Sequence, residues 1–161
     1  AGYVEGFYNY HEFLSYKLDV PLTTGSWYAV KMRVFTHLNP MYYGGVVTDG
    51  WGVAFTKKKL NNPIGLTPQC LYGQQLYSPN WSELTFTLYA DSAYKFITIG
   101  NFLPDSLQSR HVVDTNVLFT IAYGFFDNVS VEKIIGAGII EIDRNAIKKE
   151  LYYNLLGQKT K

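Results

Sequence analysis

Aromatic and acidic side chains gather in one short stretch of the chain, and their types suit sugar binding. Tyr42 and Tyr43 precede two glycines, and Asp49 and Trp51 follow closely. The face of an aromatic ring carries partial negative charge that attracts C–H groups, and a carboxylate accepts hydrogen bonds from hydroxyl groups. We therefore predict a loop platform for sugars formed by Tyr42, Tyr43, Asp49 and Trp51. The alternative is that these rings close one end of a hydrophobic core, with their polar tips in water.

Groups that could carry catalysis are scattered along the chain. The three histidines have no ligand-spaced neighbour, and Cys70 is the single cysteine, which leaves no internal disulfide and no cysteine-based metal cluster. No nucleophile elbow, phosphate-binding loop or zinc spacing occurs. We therefore expect no enzyme. A glycoside hydrolase is the less favoured alternative, because it needs two carboxylates across a cleft. Its candidate carboxylates are Glu5, Glu12, Asp49, Asp91, Asp105, Asp114 and Asp127.

The elements that must position these residues are β-strands. Aromatic residues make up 17% of the chain, and 14 glycines and 6 prolines suit frequent turns. Without an amphipathic helix before residue 140, the pattern predicts an all-β, two-sheet antiparallel sandwich. Alternation with a period of two residues predicts strands over 12–20, 27–36, 51–55, 81–90, 94–102, 117–123 and 128–133. The segments 39–45 and 104–116 are predicted to be loops, 57–80 a long loop with short extended pieces, and Gly124 a bend or bulge.

The alternation also assigns faces to the strands. In 94–102 both faces are apolar, which predicts a covered central strand. Lys31, Arg33, Glu83, Thr85 and Thr87 are predicted to face water. The residues predicted to face the core are Leu14, Tyr16, Leu18, Val20, Tyr28, Val30, Met32, Val34, Leu84, Phe86, Leu88 and Ala90.

Charge and hydropathy exclude two classes of partner. The net charge is +1, and the only basic run is 57–59, so a nucleic-acid binder is not expected. A run of about 18 apolar residues, the length that marks a membrane span, is absent. The sequence begins Ala-Gly-Tyr, and we expect a processed protein or a piece of a longer one.

Several motifs resemble one family. Asn80-Trp81 and the run Ala-Asp-Ser-Ala-Tyr-Lys-Phe-Ile-Thr-Ile-Gly-Asn-Phe over 90–102 are similar to the core of a jelly-roll module found in Bacteroidetes surface and gliding-associated proteins. The segments 13–18, 50–56 and 126–131 resemble its opening, an inner strand and its closing strand. The family usually opens with a further upstream strand that this chain lacks, which leaves one sheet position to be filled by something else.

The resemblance implies a function and a location. It implies a secreted, non-catalytic cell-surface module of the carbohydrate-binding type, which binds a surface glycan or a neighbouring surface protein in adhesion. A structural or assembly subunit of a surface filament or secretion-linked complex is the alternative. The family's calcium site implies Asp127 as a calcium ligand, although Asn128 stands where a second aspartate is usual.

The end of the chain carries a second resemblance. The run Tyr-Tyr-Asn-Leu-Leu-Gly-Gln-Lys over 152–159 is similar to a strand of the C-terminal sorting domains of the type IX secretion system. This likeness implies export, with the secretion machinery as a partner. The predicted organisation is a jelly-roll sandwich over 1–133, followed by a linker and an irregular sorting-like tail over 134–161.

Overall fold

A computed structural model describes residues 2–4, 10–36, 43–116 and 119–135, with side chains in 10–36, 45–116 and 121–135. Within these ranges the chain is all-β, as predicted, and its only helical element is a single 3₁₀ turn at Asp105–Leu107. No helix of the described residues is long and apolar enough to cross a membrane. The strands are β1 (Gly2–Val4), β2 (Leu14–Lys17), β3 (Ser26–Phe35), β4 (Tyr43–Thr48), β5 (Trp51–Thr56), β6 (Cys70–Leu71), β7 (Ser82–Ala90), β8 (Phe96–Asn101), β9 (Arg110–Val112), β10 (Phe119–Tyr123) and β11 (Phe125–Lys133).

Two antiparallel sheets enclose the main hydrophobic core. One has the order β11-β3-β7 and the other the order β2-β8-β5-β6. Their facing side chains form one continuous buried cluster. Removing this apolar surface from water is the main force that holds the sandwich together. The cluster includes Val30, Met32 and Val34 of β3, Leu88 and Ala90 of β7, Val53 and Phe55 of β5, and Ile97 and Ile99 of β8.

The faces predicted for β3 and β7 are confirmed. Tyr28, Val30, Met32 and Val34 are buried, whereas Arg33 is exposed. The strands pair residue for residue from Ser26↔Ala90 to Val34↔Ser82. Because directly opposite residues of an antiparallel pair point to the same face, the two apolar rows combine into one surface.

The central position of β8 is also confirmed. It pairs with β2 on one side and β5 on the other, and five of its six residues are buried. Strand β5 is likewise covered on both faces. A Cβ on Gly52 would lie 2.7 Å from the Cys70 carbonyl oxygen, so the pairing with β6 requires glycine there.

A third sheet lies beside these two and was not expected. Its order is β1-β10-β4-β9, and β10 runs parallel to β4. Strand β4 continues into β5 through Asp49 and Gly50, and β10 continues into β11 through Gly124. In each case the chain bends from the third sheet into a sheet of the sandwich: β4 leads into the sheet of β5, and β10 into the sheet of β11. The third sheet is therefore connected to both sheets of the sandwich. Gly50 has φ +83°, which other residues rarely adopt.

Three strand predictions differ from the structure. The segment 39–45 is not all loop, because Tyr43 begins β4. The segment 104–116 contains β9. In β2 the alternation exists, but the apolar face is not covered: Leu14 and Tyr16 are both exposed. These side chains are exposed because β2 is the edge strand of its sheet. The predicted tail from 136 onward lies outside the described residues.

Candidate functional site

The structure separates the residues of the predicted loop platform. Tyr42 lies outside the described residues, and Tyr43 begins β4 opposite Phe119. The Asp49 carboxylate accepts a hydrogen bond from the backbone N–H of Ser109 at 2.9 Å, which ties the β4–β5 corner to the segment before β9.

Trp51, which was predicted to stack on a sugar, does not lie on an exposed loop. Its side chain is only 3% exposed, and its ring lies 5.6 Å from the ring of Phe126 in the core. Trp51 shares the parity of Val53 and Phe55, both fully buried, so the strand turns its ring inward. The alternative stated for this loop, that its rings belong to the core, holds for Trp51.

Asp127 lies on the exposed surface at an irregularity of β11. Its carboxylate accepts the backbone N–H of Asn128 at 2.8 Å, and Asn128 has φ +51°. The register shifts between Asp127 and Ser130, so β11 has its bulge here, whereas Gly124 is the bend between β10 and β11. Calcium needs about six to eight oxygen ligands. Among the described residues there is no group of three or more His, Cys, Asp or Glu side chains that could hold a metal ion.

A different surface brings exposed aromatic rings together. We call it the outer face: the side of the β11-β3-β7 sheet that points away from the core. At one end, Trp27 and Tyr89 lie directly opposite each other, with ring centroids 5.0 Å apart and planes tilted by 53°. Trp27 is 44% exposed and Tyr89 is also exposed. The two rings pack against each other, and each keeps much of its surface in contact with water.

The other end of the outer face carries a larger aromatic cluster. The ring of Phe35 lies 5.7 Å from Trp81 and 6.1 Å from Phe125, measured between centroids. Tyr123 meets Phe125 edge-on at 5.2 Å. The guanidinium carbon of Arg33 lies 5.7 Å from the centre of the Trp81 ring, within the range of a cation–π interaction. Trp81 remains 43% exposed, so this contact orients its ring without covering it.

A polar band separates the two aromatic ends. Arg33 lies between two acids on the neighbouring strands, Asp127 on β11 and Glu83 on β7. Opposite charges placed across strands stabilise a sheet by a few tenths of a kcal/mol up to about 1 kcal/mol. Because the band holds both signs of charge, it does not select a polyanion. Its remaining members are Lys31, Thr85, Thr87, Ser130 and Glu132, with the small side chain of Ala29 among them.

The outer face is open and elongated. At about 3.3 Å per residue, the part of β3 from Trp27 to Phe35 spans roughly 26 Å. Rings at both ends provide apolar contact, and the band between them provides hydrogen-bond donors and acceptors. Such a surface suits an extended, uncharged ligand with alternating C–H and hydroxyl groups.

The polar cluster around His11 braces the structure. The His11 side chain is 1% exposed; its Nδ1 donates to the carbonyl of Asn101 at 2.8 Å, and its Nε2 lies 2.7 Å from the Asp105 carboxylate. These bonds fix the segment before β2 against the end of β8.

The Cys70 thiol is chemically unreactive, because burial raises its pKa to about 11.

Sequence reasoning missed the outer face, although the signal was present. Trp27 and Phe35 have the same parity as Lys31 and Arg33, which were predicted to face water. Trp81 and Tyr89 share the parity of the outward residues of β7 in the same way. The pattern that identifies this surface is a set of large aromatic rings at the water-facing positions of two paired strands.

Comparisons of the chain with family models, with curated proteins and with solved structures found no match.

Proposed function

We propose that this chain is a non-catalytic module that binds a glycan through the outer face of its β11-β3-β7 sheet. The observation that carries the proposal is the pair of exposed aromatic clusters, Trp27–Tyr89 and Phe35–Trp81–Phe125, separated by a polar band. Exposed apolar surface lowers solubility, and large patches of it on a folded protein mark binding sites.

The chemistry of the face favours a sugar over other ligands. A peptide would need a row of free backbone groups or a groove, whereas the middle of this face is paired on both sides of β3. A nucleic acid would need an excess of basic groups, but Arg33 is flanked on the neighbouring strands by two acids, Asp127 and Glu83. A neutral oligosaccharide needs aromatic faces and scattered polar groups, both of which this surface has.

The family resemblance supports the cellular context of the proposal. Under it, the module is exported by the type IX secretion machinery and acts in adhesion at the outer surface of a bacterial cell. Calcium remains part of the prediction only through Asp127, which stands in the polar band opposite Arg33.

A glycan array with matched variants tests the proposal. The purified chain is screened with and without calcium, beside Trp27→Ala and Trp81→Ala. Tyr77→Ala serves as the control, because Tyr77 is an exposed ring that belongs to neither aromatic cluster. We expect binding to a defined glycan class, reduced roughly tenfold or more by each tryptophan variant and unchanged by the control. Failure of the folded chain to bind any glycan, or equal loss in the control, would contradict the proposal.

A further inference from the structure

The sandwich has an open apolar groove on the side away from β6 and β7. Its volume is about 620 Å³. Tyr16 is 63% exposed and Val20 is 75% exposed, which is unusual for apolar residues in such a cluster. The other residues that line it include Leu14, Leu18, Leu22, Ile97, Ile99, Phe126, Val129 and Val131.

Both walls of the groove end in edge strands. β11 is the outermost strand of one sheet, and β2 is the outermost strand of the other. In the described part of the chain, each of them pairs with a strand on one side only. A free strand edge presents unpaired backbone N–H and C=O groups, which are a template for a further strand. The groove thus combines an apolar floor with a row of backbone partners.

The described chain leaves the sandwich at one end of this groove. β11 ends at Lys133, opposite Tyr28, and the Ile134 N–H donates to the carbonyl of Trp27 at 2.9 Å. The hydroxyl of Tyr28 accepts the N–H of Thr23 at 2.8 Å, and the neighbouring Leu22 lines the groove. The described part of the chain therefore ends beside the groove.

The sequence that follows has the pattern of a strand that would fill it. Gly136-Ala137-Gly138 suits a tight reversal, and Ile140 and Ile142 then alternate with Glu141 and Asp143. A reversal over 135–138 has a length common in β-hairpins. Ile140 and Ile142 would share one face and the two acids the other. The pattern matches a strand with one side in an apolar groove and one side in water.

We propose that the groove is a strand-acceptor site and that its occupant is the segment 139–143 of the same chain, added as a strand beside β11. A short connection keeps the local concentration of this segment high, which favours it over the same segment of a second copy. This site is separate from the outer face, and either one can exist without the other.

Methyl NMR on the full chain tests this directly. With isoleucine and valine methyl groups labelled, we expect nuclear Overhauser contacts from Ile140 and Ile142 to Val129 and Val131 in a sample that sedimentation shows to be monomeric. Contacts seen only between differently labelled copies would overturn the proposal in favour of a second copy. Absence of any such contact would overturn it as well.

A pair of variants gives an independent readout. Ile140→Ser with Ile142→Ser removes the apolar face of the segment, and Ile139→Ser is the control because its parity is opposite. We expect hydrogen exchange of the β11 amides to rise roughly tenfold or more in the double variant. The control should leave it unchanged. Equal exchange in the double variant and the parent, or equal acceleration in the control, would overturn the proposal.

Discussion

Trp27 and Tyr28 are neighbours in sequence with opposite environments, and replacing each by alanine should have very different costs. Tyr28 is buried, and its hydroxyl accepts the Thr23 N–H at 2.8 Å. Removing a buried aromatic ring costs about 3–5 kcal/mol. Trp27 lies on the outer face, and its main contact there is the ring of Tyr89. Losing an aromatic pair of this kind costs about 0.5–1.5 kcal/mol.

Urea denaturation measures this difference. With a slope of about 2 kcal/mol/M, a gap of about 2 kcal/mol or more between the two variants shifts the unfolding midpoint by roughly 1 M. Tyr28→Phe is the control for the hydroxyl and should cost only about 0.5–1.5 kcal/mol. If Trp27→Ala were as destabilising as Tyr28→Ala, Trp27 would belong to the core and the outer face would not be free for a ligand.

Three further predictions concern the frame of the sandwich. Gly52→Ala should destabilise by about 1–3 kcal/mol in urea unfolding, because its Cβ would meet a backbone oxygen, whereas Gly73→Ala, which has open space, should be near neutral. Burial raises the folded-state pKa of the Cys70 thiol from its ordinary value of 9.0 to about 11. The unfolded chain then loses this proton first, so stability should fall as pH rises from about 9 to about 11; Cys70→Ala should lack this component of the slope, and an identical slope would contradict the assignment. His11→Ala removes two buried hydrogen bonds and should cost at least about 1–3 kcal/mol in urea unfolding, while a neutral effect would show that the brace is not needed.

The parts of the fold that local pattern determines were predictable. β3, β7 and β8 have long, regular alternation or continuous apolar runs, and their environments match it: β3 and β7 face the core on one side, and β8 is central. β4 was missed because it contains two glycines, which are poor strand formers, and it exists through pairing with the distant β10. Pairing between distant segments leaves no mark in a local window.

The site was harder to predict because exposure depends on what lies opposite. Trp51 alternates in step with Val53 and Phe55 and so shares their side of the strand, but the sequence could not say that this side faced the core. The apolar side of β2 shows the reverse case: its pattern predicts burial, yet as an edge strand it lies along an open groove. Alternation tells which residues share a face and not which face is covered.

The most direct test of sugar binding by the outer face uses the three tryptophans of the chain as reporters. Trp27 and Trp81 lie on that face, and Trp51 lies in the core. The indole N–H signals are followed by NMR while a glycan selected on the array is titrated in. We predict that the Trp27 and Trp81 signals shift with a common affinity while the Trp51 signal stays in place. A shift of Trp51 alone, or saturation without movement of the two exposed indoles, would contradict binding at the outer face.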